Sequence, residues 1–407
     1  MYKRKTKSEE DFKALLQQAK DGDTSEDTLL EILQSHHDHP MLIAELDEDA
    51  PKLLDTLRLH AELNCIHLRL PLLHKQEKFY RPLPEKVPEP ERYIGDYPVV
   101  RSLHAGSMES ETYVGMHPEG YLCLIKQYWP KAVDLSPRTM FAHQERIIQR
   151  LNQHPDPRFE EILDHFLWED DSYIQIKPYL ICSDLWDWMD DTEDRMARLL
   201  LLQELAEVLD LLHSLDIAHT DLKPGQVLIL SNHSQTGGPQ FVLIDYDFSM
   251  VDGVLTMAVG SVPYYAPEQF SGDDLEGHQA GVYADTYAFC VLVHRLLTSY
   301  FPFGDGRTEQ TSLDDLKNFR DLRSMTIPYK PLEEILKRGL DPIPEERPSL
   351  KAIGRALRSP ELLHKIHTFP LQRPQDMREE YGLLGAFLWL VGMVFIFLLV
   401  VKFAGCQ

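Results

Sequence analysis

IAHTDLKPGQVLIL (Ile217–Leu230) sets Asp221 and Lys223 two residues apart in a short polar segment between apolar runs. The run before it, LLQELAEVLDLLHSL (residues 201–215), repeats apolar residues at helical spacing and reads as a buried helix. After it comes FVLIDYDF (Phe241–Phe248), an apolar strand that ends at Asp245. Upstream, YLCLIKQYW (Tyr121–Trp129) alternates as a strand does and reaches Lys126 near its end. Short strands followed by long helices begin at about residue 95, a pattern that predicts an α+β domain.

Two further segments, GSVPYYAPE (Gly260–Glu268) and EERPSL (Glu345–Leu350), complete an ordered set. The region from residue 95 to 358 resembles the eukaryotic-type (Hanks-type) serine/threonine protein kinases. The resemblance implies a two-lobed protein kinase fold, a small β-rich N-lobe and a larger helical C-lobe, using ATP and Mg²⁺ or Mn²⁺ on a protein substrate. Phosphoryl transfer asks little covalent chemistry of a protein, so such a site positions the nucleophile and offsets phosphate charge. By resemblance, Asp221 is the catalytic aspartate and Lys223 touches the γ-phosphate. Lys126 holds the α- and β-phosphates, Asp245 is a metal ligand, and Gln226 stands where the second metal ligand is expected. Ser261 sits in the substrate-docking loop, and Glu268 in that loop is expected to pair with Arg347. Asp285 would hold the catalytic-loop backbone from beneath.

SYIQIKPYL (Ser172–Leu180) is similar to the strand and hinge that join the lobes, with Ile176 as gatekeeper and the backbone of Lys177 to Tyr179 facing adenine. Asp184 would reach the ribose. For these residues an ordinary core reading serves equally well. The helix RTMFAHQERIIQRL (Arg138–Leu151) is expected to supply a glutamate to Lys126. Register favours Gln144 by one place, but Glu145 is the acidic residue and lies on the apolar face, so Glu145 is the expected partner.

Three departures from the family pattern touch the nucleotide. LHAGSMESETYVG (Leu103–Gly115) offers Gly106 and acidic residues where the family's loop has three glycines. Gln226 replaces an asparagine, and Asp247 replaces the glycine of the DFG motif. Asp247 reads as a solvated turn residue or as a compensating carboxylate. The alternative to an active kinase is therefore a nucleotide-binding pseudokinase that acts as a membrane-tethered scaffold. An aminoglycoside-type small-molecule kinase would not carry the YYAPE loop or Arg347.

The remaining sequence divides into distinct segments. The 407 residues carry 41 Lys plus Arg against 65 Asp plus Glu, and a net charge of -24 argues against a nucleic-acid partner. The 5 cysteines show no paired spacing, which excludes a disulfide framework or a zinc knuckle. Residues 1–80 form a helical N-terminal module, a candidate site for a regulatory protein, and its SHHDHP segment (Ser35–Pro40) reads as a loop and not as a metal site. Residues 81–94 form a proline-rich linker, residues 95–358 the kinase-like domain and residues 359–380 a juxtamembrane segment. Residues 381–401, YGLLGAFLWLVGMVFIFLLVV, hold no charge and are long enough to cross roughly 30 Å of hydrocarbon as one transmembrane helix, leaving a short tail at 402–407. Lys365, Arg373 and Arg378 before this span, against Lys402 after it, predict a single-pass membrane protein with the kinase domain in the cytoplasm. The resemblance, whose bacterial members often carry a transmembrane helix after the kinase domain, implies a bacterial inner membrane.

Overall fold

The computed structural model describes residues 5, 7–64, 68, 77–86, 89–103, 110–129, 136–168, 172–231, 238–247, 249–253, 264–270, 278–302 and 327–369. The N-terminal module comprises α1 (Glu9–Lys20), α2 (Glu26–Ser35), α3 (Pro40–Ala44), α4 (Leu46–Asp49) and α5 (Pro51–Leu63). Ser8 and Ser25 cap the first two helices, each accepting from a backbone N–H in the first turn. Phe12, Leu15, Leu16 and Ala19 of α1 share one face and pack with Leu29, Ile32 and Leu33 of α2 in a core separate from the rest of the chain. His36 Nδ1 meets the Leu33 carbonyl and His39 Nε2 meets that of Lys7, so these two imidazoles serve the local backbone.

The N-lobe is a six-stranded antiparallel sheet of β1 (Arg92–Ile94), β2 (Tyr97–Ser102), β3 (Ser110–His117), β4 (Tyr121–Tyr128), β5 (Asp164–Trp168) and β6 (Ser172–Pro178), in the order β1-β2-β3-β4-β6-β5. Successive side chains of a strand point to opposite faces. Cys123 and Ile125 of β4 therefore join Ile174 and Ile176 of β6 in one apolar layer, while Leu124 and Lys126 turn to the other face. Helix α6 (Pro137–Gln153), capped by Ser136, crosses that second face and buries Phe141 with Tyr128 and Tyr173.

The C-lobe carries the largest core. It is built from α7 (Leu185–Asp191), α8 (Arg195–Ser214), α9 (His278–Thr298), α10 (Lys330–Gly339), α11 (Leu350–Leu357) and α12 (Pro360–Lys365). Short strands β7 (Ser183–Asp184), β9 (Val227–Ser231) and β10 (Gln240–Leu243) form a second sheet, and β8 (Ile217–Ala218) pairs with β11 (Met250–Val251). Helix α9 is buried on every side from Ala284 to Leu297, because α8, α10 and the short strands pack around it. Gly339 closes α10 against it, where a Cβ would come within 2.2 Å of Cys290 Sγ.

The linker behaves differently from the extended spacer expected at 81–94. Arg81 N–H donates to the Tyr179 carbonyl (2.8 Å), Ile181 N–H to the Phe79 carbonyl (2.6 Å) and Leu122 N–H to the Arg81 carbonyl (2.8 Å). Residues 79–82 thus line the outer edge of the segment that joins the lobes, and the division at 80/81 runs through a paired stretch. Among the described residues, no helix is long and apolar enough to cross a membrane. The expected span at 381–401 and the tail at 402–407 lie outside the described residues, as do Gly106 and Ser261.

Candidate active site

The polar segment after β8 is bent by Thr220, whose φ of 64° is unusual for a β-branched residue. Asp285, fully buried in α9, accepts from the backbone N–H of both His219 and Thr220 (2.7 Å each) and from His213 Nε2 (2.8 Å). Two amides and an imidazole satisfying one buried carboxylate hold the bend in place. Gln269, which the sequence does not single out, ties the docking segment to the same bend. Its Nε2 donates to the Thr220 carbonyl (2.7 Å) while its Oε1 accepts from Ala266 N–H. Arg347 forms a two-pronged pair with Glu268, Nη1 to Oε1 at 2.5 Å and Nη2 to Oε2 at 2.8 Å, and also donates to the Tyr283 and Asp341 carbonyls.

From this support Asp221 projects next to Lys223, whose Nζ lies 2.6 Å from Asp221 Oδ2. Gln226 Nε2 spans the carboxylates of Asp221 (3.3 Å) and Asp245 (2.9 Å). Asp221 Oδ1 is buried and has no hydrogen-bond partner among the described residues. Asp245 sits at φ 72°, just after β10, and Lys126 Nζ reaches its Oδ1 at 3.0 Å. The structure therefore brings Lys126, Asp221, Lys223, Gln226 and Asp245 into one chain of contacts. Asp184 stands apart from them, its Oδ1 accepting from Asp187 N–H to cap α7.

Three expectations change. Glu145 does not meet Lys126: its carboxylate lies 2.8 Å from His165 Nε2 and accepts from Gln149. One residue is about 100° of helix, and that step points Gln144 instead at the loop after β10, where its Nε2 donates to the carbonyls of Tyr246 (3.3 Å) and Asp247 (2.9 Å). Ile176 is not the gatekeeper, since it belongs to the apolar layer with Ile125 on the far face of the sheet. Lys177, opposite Leu124, takes the inward position, and its Nζ pairs with Glu160 Oε2 (3.0 Å) and Asp247 Oδ1 (3.7 Å). A one-place register difference exchanges the faces of a strand.

Asp247 is also not a solvated turn residue. It is 2% exposed, and its Oδ2 accepts from Lys126 Nζ at 2.5 Å and from the Tyr128 hydroxyl. Lys126, Lys177, Asp245, Asp247 and Glu160 form one charge cluster, with Lys177 and Asp247 buried and the other three partly exposed. Burial opposes the charge on Lys126, but Asp245 and Asp247 outweigh it and hold the ammonium pKa above its ordinary value. Burial likewise favours a neutral Asp245, and Lys126 overcomes that to keep its carboxyl well below the usual range. At Glu160 burial prevails over Lys177 and raises the pKa.

A cavity of about 410 Å³ opens beside the cluster, walled by Leu124, Leu228, Val242 and Ile244 and edged by Tyr179 and Leu180. Apolar walls with a charged end suit a flat base carrying phosphates. The donor set fits a magnesium ion. Asp245 is a hard oxygen donor, and Gln226, bonded to it at 2.9 Å, adds an amide. Among the described residues, no group of three or more His, Cys, Asp or Glu could hold a metal alone. Magnesium is usually held by one or two carboxylates together with substrate phosphates.

A family model described as "Protein kinase domain" matches residues 129–357. The chain is similar to serine/threonine-protein kinase SBK1 of Mus musculus, at 25% identity over 228 residues covering 53% of this chain and 53% of that protein. It is also similar to serine/threonine-protein kinase PkaA of Streptomyces coelicolor, at 32% identity over 169 residues covering 40% of this chain and 29% of that protein. Among solved structures it is similar to a mutant of the Mycobacterium tuberculosis PknI kinase domain, with a TM-score of 0.46 and 21% identity over 65% of this chain and 96% of that one. The chain thus spans about half the length, or less, of these curated relatives.

Proposed function

The chain belongs to the protein kinase family, and from that premise we propose that it is a serine/threonine kinase that transfers the γ-phosphate of ATP to protein hydroxyls. The observation that carries this reading is the juxtaposition of Lys126, Asp221, Lys223, Gln226 and Asp245 in one chain of contacts, which Asp247 joins to the apolar cavity that it and Leu124 line. Asp221 Oδ2 is held by Lys223 and Gln226, which leaves Oδ1, without a partner among the described residues, to orient the acceptor hydroxyl and take its proton. Lys223 then offsets charge on the transferring group, and Lys126 does the same at the inner phosphates. Asp245 and Gln226 would hold magnesium, which supplies charge neutralisation along the phosphates when bound.

The stretch 381–401 supports a second part of the proposal, a tether that keeps the catalytic domain at the cytoplasmic side of a membrane. The separate core of α1 to α5 supports a binding role for the N-terminal module, with a regulatory protein as its partner. Incubating the purified full chain with labelled ATP, magnesium or manganese and a general acceptor protein tests the activity. Transfer that disappears in Asp221→Asn is the expected result. Nucleotide binding without transfer under any metal would replace this reading with the pseudokinase scaffold.

A further inference from the structure

We infer that Asp247 is the positioning carboxylate for Lys126, taking from the loop the role that a helix glutamate would otherwise fill. The nucleotide's identity, and only that, rests on the kinase reading above.

Lys126 Nζ has two carboxylate partners among the described residues, Asp245 at 3.0 Å and Asp247 at 2.5 Å. They differ in what else they face. Asp245 keeps an exposed flank, at 29% side-chain exposure, and its other oxygen faces Gln226 and, through it, Asp221. A carboxylate on that side is the one drawn toward a metal and phosphates. Asp247 is 2% exposed and turned the other way, enclosed by the Tyr128 hydroxyl, Lys126 and Lys177. It remains on Lys126 when Asp245 is engaged elsewhere.

The helix cannot supply the charge. Gln144 is the α6 residue whose side chain bonds the Tyr246–Asp247 stretch, and an uncharged amide cannot pair with an ammonium in the way a carboxylate does. What it does instead is secure the loop. Its NH₂ group donates to the carbonyls of Tyr246 and Asp247, the two residues that carry the carboxylate into place. Helix and loop have exchanged parts, with the amide on the helix and the carboxylate on the loop. Lys177 then has a reason to be inside. A second buried anion beside Asp245 would repel it and the incoming phosphates, and the Lys177 ammonium, shared with Glu160, offsets that charge.

A double-mutant cycle on ATP affinity tests whether Asp247 acts through Lys126. The dissociation constant for ATP with magnesium is measured calorimetrically for the full chain, Lys126→Met, Asp247→Asn and the double variant. Each single change is expected to weaken binding about fivefold or more, and the double variant to bind no worse than the weaker single one. Unchanged affinity in Asp247→Asn, or single effects that multiply in the double variant, would overturn the inference. Thermal melting checks that each protein is folded. Should Asp247→Asn unfold the chain, the cycle is repeated in a Lys177→Met background, which removes the cation left facing the gap, with the same two outcomes. Adding Gln144→Glu to Asp247→Asn returns a carboxylate from the helix side and should recover at least part of the lost affinity. None of these readouts requires transfer. A wild-type chain that binds ATP but transfers nothing defeats the kinase reading while the cycle still decides the role of Asp247.

Discussion

Thr220 shows how much a single buried carboxylate can hold. A left-handed, β-branched residue is costly, and the bend persists because Asp285 collects the N–H groups of His219 and Thr220 and the ring of His213. Asp285→Asn would turn an NH₂ group toward at least one of these donors. It should cost about 3 kcal/mol of stability and reduce transfer by about tenfold or more. Denaturant titration and the transfer assay measure the two effects, and a stability change within about 1 kcal/mol would show that the bend does not depend on this residue. His294 gives a pH dependence. Burial lowers its pKa from 6.5 to about 4, against the opposing pull of the Tyr300 carbonyl and Glu333. The unfolded chain gains this proton as pH falls below 6.5, whereas the folded chain resists until about 4. Stability is therefore lost across that window on acidification, by up to about 3 kcal/mol for this group. In His294→Gln the stability penalty measured near pH 7 should shrink as the pH approaches 4, and a penalty that stays constant would contradict the linkage.

Strands and helices are unevenly legible in the sequence, and the reason is how far their partners lie along the chain. The alternation in YLCLIKQYW gives the faces of β4, because one strand carries both apolar and polar positions. SYIQIKPYL offers no such contrast, as every residue of β6 from Ser172 to Pro178 is buried. Lys177 can lie inside only because Glu160 and Asp247, remote in sequence, meet it there. The same holds for Asp247, whose burial depends on Tyr128 and Lys126, more than a hundred residues upstream. On α6 the periodicity locates the apolar face but not which of two adjacent residues meets the loop. Where α9 and α10 touch, glycine is required by contact and not by conformation. Gly339→Ala would drive a methyl into Cys290, and the helices must part to admit it. We expect a loss of about 1–3 kcal/mol, read by denaturant titration, with most of it recovered when Cys290→Ala is added.

For the molecule as a whole, the order of short polar motifs along the chain carries the two-lobed α+β architecture, since each motif closes a strand or opens a helix at the cleft. The N-terminal module is legible for a simpler reason, its helices being capped by serine and striped with leucine at close range. The tether is predicted from sequence alone. Ending the chain before Tyr381 should move the protein from the membrane pellet to the soluble fraction with ATP affinity unchanged, and a shortened chain that still pellets would exclude a pure tether. The pairing of residues 79–82 with the inter-lobe segment bears on where this chain can be cut. A fragment beginning at residue 95 would leave the Tyr179 carbonyl and the Ile181 amide open along a bare extended edge beyond the last residue of β6, and would remove Arg81, whose guanidinium bonds the Leu180 carbonyl and covers the Tyr179 ring. Such an edge is a template for another copy of itself. The smallest well-behaved catalytic fragment therefore starts ahead of Phe79, well before the first strand of the sheet.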